Sequence, residues 1–207
     1  MYIELIDLLR CPRPHEDSWL VAAFEEMEHR FVVRGSLGCP VCGNRYSIVN
    51  GVANLTVASV NSVERGEARL STPDGELPIR VAAMLGLGAP GALVILGGEA
   101  CMLARPLSEL VSARVIAVNP PAAMQESDMV AIIRCDERVA LAPRSADGMM
   151  LDQGTLIVLG ADPGPLKTGG RLVIPASGTL PADCRELARD ELDVVAERSG
   201  ELVSLSR

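Results

Sequence analysis

Aromatic residues are scarce in this chain: among 207 residues there are one Trp, two Tyr and two Phe. The core must therefore be built from Leu, Val, Ile, Ala and Met, and there are few stacking platforms for nucleobases. Lysine is nearly absent, Lys167 being the only one. No block rich in Lys or Arg occurs, and the formal net charge is −8. Up to Val60 there are 5 Arg against 7 acids, and after it 14 Lys and Arg against 20 acids. Binding to a phosphate backbone needs the opposite balance, so no nucleic-acid partner is expected. No apolar run approaches the roughly 20 residues of a membrane-spanning helix. The first ten residues carry Glu4 and Asp7 and lack a basic stretch, so they do not read as a signal peptide. The expected location is the cytoplasm, and a peripheral place on the cytosolic face of a membrane complex is compatible with it. In such a compartment six Cys point to metal or free thiols before disulfides.

Apolar residues make up 48% of the chain, enough for a sizeable core. Residues 58–75 are polar and end in Thr72-Pro73-Asp74-Gly75, which reads as a linker between residues 1–57 and 76–207. Beyond it, helical spacing over 79–87 and 102–111 alternates with short apolar runs at 92–96, 114–118, 129–133 and 148–151. Gly169-Gly170 reads as a turn feeding a fifth strand that ends at Pro175. Strands alternating with helices argue for βαβ units and a mainly parallel sheet. At the end, residues 193–198 and 201–206 flank Ser199-Gly200 and read as an antiparallel hairpin. The expected class is α/β.

In the first part, Cys39-Pro40-Val41-Cys42-Gly43 sets two thiols at the spacing that lets both sulfurs face one ion. Cys11 and His15, four residues apart, can complete a tetrahedral set; His29 is the only other His. Four protein ligands leave no open position for water, so a zinc site of this kind is structural. A metal-free ribbon held by its core and a redox C-x-x-C are the alternatives. Leu8-Leu9-Arg10-Cys11-Pro12, the second knuckle, and Tyr46-Ser47-Ile48-Val49-Asn50-Gly51-Val52-Ala53-Asn54-Leu55 together resemble the small zinc-ribbon proteins that bind and activate methyltransferases. The resemblance covers about residues 1–57 and places His15 where that family has a Cys. It implies a zinc-ribbon-like module and, as one reading, an activator of a separate methyltransferase.

The second part resembles class I S-adenosylmethionine-dependent methyltransferases. Leu166-Lys167-Thr168-Gly169-Gly170-Arg171-Leu172-Val173 is similar to the family's L-K-P-G-G-R-L-V, and residues 132–147 to its G-D-A segment. The resemblance implies a Rossmann-like methyltransferase fold and puts Asp136 at the acid that reaches the cofactor's adenine. It also sets Ile95-Leu96-Gly97-Gly98-Glu99-Ala100-Cys101 against the D-x-G-x-G-x-G cofactor motif. Only Gly97 keeps a glycine position of that motif. Ile95, Glu99 and Cys101 replace its acid and two glycines, and Asn119 stands where an acid holds the ribose hydroxyls. Glu99 would crowd the cofactor's carboxylate. At about 4 Å and an effective dielectric of about 20, like charges cost about 4 kcal/mol.

Gly97, Gly98, Glu99, Asn119 and Asp136 are therefore a vestigial cofactor set. S-adenosylmethionine is not expected to bind, and no catalytic constellation is evident. Cys101, Cys135 and Cys184 read as small core residues. Asp190, Glu191 and Asp193 read as a solvated acidic face. The function expected is a non-catalytic accessory or scaffold subunit, partnered by protein in a larger assembly. An active methyltransferase acting on RNA or protein is the alternative, alongside the activator reading.

Overall fold

The computed structural model describes residues 1–57, 75–121, 124, 127 and 129–200. The linker expected at 58–75 lies outside them except for Gly75, as does the strand expected at 201–206. The first part contains a one-turn helix α1 (Ile3–Ile6) and strands β1 (Val21–Glu28), β2 (Phe31–Gly38), β3 (Arg45–Val49) and β4 (Val52–Asn54). The second contains α2 (Leu77–Met84), β5 (Leu93–Gly97), a 3-10 turn (Gly98–Leu103), α3 (Ala104–Val111), β6 (Arg114–Val118) and β7 (Val130–Arg134). It continues with β8 (Ala146–Leu151), α4 (Gln153–Leu159), β9 (Leu166–Pro175), β10 (Cys184–Arg189) and β11 (Asp193–Arg198).

All the strands join one sheet in the order β1-β2-β3-β4-β7-β6-β5-β8-β9-β11-β10. From β7 to β9 every pairing is parallel. Taken alone, these five strands run 3-2-1-4-5 in chain order, the doubly wound arrangement, with its switch point between β5 and β8. In such sheets ligands bind outside the carboxyl ends of the strands at that point. β11 and β10 follow as an antiparallel hairpin. The α/β class and Rossmann-like sheet expected from the sequence are thus present.

The expected strand 193–198 is β11, and among the described residues its hairpin partner is the preceding strand β10. Asp190 makes the turn: its carboxylate accepts the backbone N–H groups of Leu192 (2.8 Å) and Asp193 (2.7 Å). The acidic cluster is therefore largely turn chemistry. Gly169-Gly170 lies inside β9, where the register with β8 breaks between Ala146 and Gly148, and Gly169 takes φ +78°. A bulge accommodates three extra residues on β9 where the sequence pattern suggests a turn.

β5, β6 and β7 are almost wholly buried, as their unbroken apolar runs require between two covered faces. Val94, Leu96, Val115 and Ala117 pack with Val81, Leu85, Leu103 and Leu107 of the helical layer. Leu93, Ile95, Ile116, Val118 and Ile133 belong instead to a cluster that includes Leu9, Leu37, Ile48 and Leu55. The first part of the chain thus shares a core with the second. It also extends the second part's sheet: β4 pairs in parallel with β7, Ala53 opposite Ile133 and Asn54 opposite Arg134. No helix among the described residues is long and apolar enough to cross a membrane.

Candidate metal centre and the glycine turn

Cys11 and His15 come from the loop between α1 and β1, and Cys39 and Cys42 from the turn between β2 and β3. That turn is a knuckle. Cys39 N–H donates to Asn44 O (2.9 Å), Gly43 N–H donates to Cys39 O (2.9 Å), and Gly43 takes φ +71°. Its left-handed backbone suits glycine. The four ligand atoms all lie within 4.8 Å of one another, and the set could hold a metal ion. Tetrahedral zinc, with bonds of about 2.3 Å to sulfur and 2.0 Å to nitrogen, separates two sulfurs by about 3.8 Å and a sulfur from a nitrogen by about 3.5 Å. Cys11 Sγ and Cys42 Sγ are 3.7 Å apart, and Cys39 Sγ lies 3.4 Å from His15 Nε2. Donor chemistry and spacing both fit.

The surroundings prepare these ligands. His15 Nδ1 lies 2.6 Å from Glu16 O. A carbonyl only accepts, so Nδ1 carries the proton and Nε2 presents its lone pair to the site. The backbone N–H of Asn44 leads in drawing the Cys42 thiol down to about 7, opposed by some desolvation and helped by the Cys39 and Asn44 side chains. Asn44 Nδ2 donates to that sulfur at 3.2 Å. Burial pushes Cys11 up, against a hydrogen bond from the Tyr46 hydroxyl 3.4 Å away. A metal would supply the charge that the buried Cys11 thiolate lacks.

The glycine turn is filled by the chain's own side chains. β5 ends at Gly97, and Gly98 takes φ +64°. Asp152, at the end of β8, caps α4 and points into this turn. One carboxylate oxygen accepts Thr155 N–H (2.7 Å) and the other accepts Glu99 N–H (2.9 Å). A Cβ on Gly98 would fall inside the Asp152 carboxylate. A Cβ on Gly97 would meet Leu151 Cδ2 at 2.7 Å and Thr155 Cγ2 at 2.8 Å. Both glycines are thus required by the chain's own packing. Glu99 points to solvent, and the buried Cys101 Sγ donates to Leu96 O (3.0 Å). Burial raises the thiols of Cys101, Cys135 and Cys184, the last to about 11, so none is a poised nucleophile.

The other two cofactor positions are also engaged internally. Asn119 is buried at φ +51°; its Nδ2 donates to Cys135 O (2.7 Å) and its Oδ1 accepts Cys135 N–H (2.9 Å). An ionised Asp could not donate to that carbonyl, so the amide is what clamps the ends of β6 and β7 together. Replacing Asn119 with Ala leaves a buried donor and acceptor unpaired and is expected to cost about 3 kcal/mol in urea unfolding. A loss under about 1 kcal/mol would show the clamp to be dispensable. Asp136 accepts Val57 N–H on both carboxylate oxygens at 2.9 Å, anchoring the end of the first part. Asp147 accepts Leu93 N–H (2.9 Å) and pairs with Lys167 (2.6 Å).

The structure therefore gathers Cys11, His15, Cys39 and Cys42 at one point and directs Asn119 and Asp136 to separate backbone partners. The residue that sequence reasoning missed is Asp152. Its signal was an Asp three residues before Thr155 at the head of an apolar run, a helix-cap pattern.

No protein-family model matches this chain. No curated protein sequence matches it either. Solved structures match in part. A candidate S-adenosyl-L-methionine-dependent methyltransferase of Methanococcus maripaludis is 12% identical over 62% of this chain and 86% of that one, with a TM-score of 0.46. A geranyl diphosphate methyltransferase in complex with S-adenosylmethionine is 17% identical over 48% of each chain, with a TM-score of 0.41. A geranyl diphosphate C-methyltransferase from Streptomyces coelicolor, bound to S-adenosyl-L-homocysteine, is 20% identical over 46% of this chain and 42% of that one, with a TM-score of 0.36. The chain spans less than half the length of these last two proteins. The fold rests on strand order and register rather than on these scores.

Proposed function

We propose that the protein is a non-catalytic accessory subunit, a methyltransferase-like sheet without a cofactor site, carrying a structural zinc and serving to dock protein partners. The observation that carries this reading is the Asp152 carboxylate in the glycine turn. It takes up the Glu99 N–H at the carboxyl end of β5, beside the switch point where a dinucleotide-type ligand would sit. Asn119 and Asp136 support it, because both positions that would hold the cofactor's sugar and base are bonded to backbone. Zinc through Cys11, His15, Cys39 and Cys42 would close four positions and hold the two loops without offering a reactive site. Free thiols suit a reducing cytoplasm, where the partner assembly, membrane-attached or not, would be met.

The activator reading has less support. β4 is paired on both sides, by β3 and β7, so on that side the small sheet is already joined to its own chain's parallel sheet rather than to a separate methyltransferase. One observation favours the active-methyltransferase reading. The Thr155 hydroxyl beside Gly97 is buried and has no hydrogen-bond partner, an orphan that a ligand could satisfy. Calorimetry with S-adenosylmethionine decides between them. No saturable binding to the zinc-loaded protein is expected up to about 1 mM, a ligand contribution below about 4 kcal/mol. Micromolar binding that Asp152→Ala or Asp136→Ala alters would overturn the non-catalytic reading.

A further inference from the structure

The two edges of the eleven-stranded sheet are managed differently. On β10 the charges are satisfied within the hairpin: Arg185 pairs with Glu197 at 3.2 Å and Arg189 with Glu186 at 2.8 Å. On β1 they are not. Glu26 pairs with Arg34, but Glu25 and Glu28 make no ion pair among the described residues. β1 also exposes apolar side chains. Val21 is 65% exposed, Phe24 41% and Met27 38%, and Trp19 just before the strand is 61% exposed. A strand edge guarded only against aggregation would carry charge in place of these side chains. The register break between Phe24 and Glu26 bends the end of the strand, leaving residues 21–24 in regular pairing with β2 and, among the described residues, with no strand on the outer side.

Next to this edge runs a groove of about 380 Å³ between α1 and β1. Leu20, Ala22 and Phe24, alternate residues on one face, line one wall, and Ile3 and Ile6 line the other. Asp7 stands in the groove's lining, with no ion pair among the described residues. Arg30, the cation of the lining, is bound to Glu4. An apolar trough with uncompensated carboxylates beside an open strand edge has a definite complement. A strand added there gains main-chain hydrogen bonds along β1, and its alternate side chains face the trough. A second copy is a poor occupant. Two β1 strands side by side would crowd Glu25, Glu26 and Glu28 of each, in a chain already at −8.

We propose that β1 is an addition site for an extended, basic segment of a partner protein, its apolar side chains seated in the groove between α1 and β1 and its cations facing Glu25 and Glu28. This rests on the reading of the protein as a docking subunit and names the chemistry of the partner.

The test uses the full zinc-loaded chain and fluorescein-labelled octapeptides, followed by anisotropy at low salt. A peptide of alternating valine and lysine is expected to bind at least tenfold tighter than its valine–glutamate counterpart. It should also bind at least tenfold tighter than a lysine–proline peptide of equal charge, which cannot form a strand. The double variant Glu25→Lys/Glu28→Lys should reverse the lysine–glutamate preference, and Ala22→Arg should weaken the valine–lysine peptide about tenfold. Equal binding of the three peptides, or an unchanged preference after the charge reversal, overturns the site. Glu99→Lys/Glu109→Lys, which removes as much negative charge elsewhere, should leave the preference in place; if it abolishes it, attraction by net charge explains the binding and the proposal fails. Saturable S-adenosylmethionine binding with these preferences intact would remove the non-catalytic reading and leave the site. Lost preferences without such binding would remove the site alone.

Discussion

Gly98→Ala should lower the melting temperature by about 10 °C, whereas Gly91→Ala, at a φ that is also positive, should lower it by only a few degrees. Gly98 sits at φ +64° and Gly91 at φ +80°, so each substitution carries the left-handed penalty of about 1–2 kcal/mol. The two differ in what a methyl group meets. At Gly91 nothing lies within 4 Å, and at Gly98 the methyl displaces the Asp152 carboxylate. Moving that carboxylate loses the α4 cap, worth about 1 kcal/mol. It also loses the charge-assisted bond to Glu99 N–H, worth about 1.5–3 kcal/mol. The sum is about 3.5–6 kcal/mol, and in a chain of this size each kcal/mol moves the midpoint by about 2–4 °C. The double variant Gly98→Ala/Asp152→Ala should be less damaging than the sum of the two single changes, since both break the same pair. Equal melting temperatures for Gly98→Ala and Gly91→Ala would show that Asp152 does not hold the turn.

The same pair explains why the turn could be found in the sequence and its occupant could not. The apolar run Leu93-Val94-Ile95-Leu96 ending in two glycines announces a buried strand and a tight turn from local pattern alone. Asp152 lies more than fifty residues on, and only the parallel pairing of β5 with β8 brings it to Glu99. Asn119 and Asp136 were found at positions that the resemblance makes meaningful. Their directions are set by Cys135 and Val57, which no spacing rule connects to them. Departures that read in sequence as decay of a cofactor motif are, in the fold, residues with other work. Asn119 is the clearest case, because its amide both donates to and accepts from the Cys135 backbone, which an ionised acid could not do.

Legibility also followed periodicity. β5, β6 and β7 are continuous apolar runs and were found. β10, Cys184-Arg185-Glu186-Leu187-Ala188-Arg189, is mostly exposed on both faces and so has no alternation to read. Its omission left the expected hairpin without β10. α4 is seven residues of mostly apolar Gln153-Gly154-Thr155-Leu156-Ile157-Val158-Leu159, too short and too uniform to separate from a strand by period. The metal set was legible for the opposite reason. C-x-x-C spacing is a local requirement of a knuckle, and with so few His in the chain the remaining ligands were nearly determined.

Removing the metal should loosen more than the first part of the chain. Metal analysis should find one zinc per chain, and stripping it, or changing Cys39 to Ser, should cost on the order of 5 kcal/mol. That is less than the about 10–16 kcal/mol of isolated zinc modules, because Leu37, Ile48 and Leu55 keep a metal-free core. The segment it would fix, residues 8–18, is stitched to the loop after β7. Arg10 N–H donates to Ala140 O (3.0 Å), Ala142 N–H to Leu8 O (2.6 Å), and the Arg138 guanidinium to Cys11 O. Hydrogen exchange should therefore quicken in residues 9–18, 39–46 and 135–142 together, while β5 and β6, buried under both core clusters, stay protected. Protons compete with the metal for three thiols and an imidazole, so affinity should fall as the pH falls. The exposed Cys42, already near 7 without metal, gives up its proton most readily and the buried Cys11 least. Exchange that quickens only in 39–46 would confine the metal to bracing its own knuckle. Exchange that quickens across 135–142 as well would make it a brace for the end of β7, where Asp136 holds the junction of the two parts.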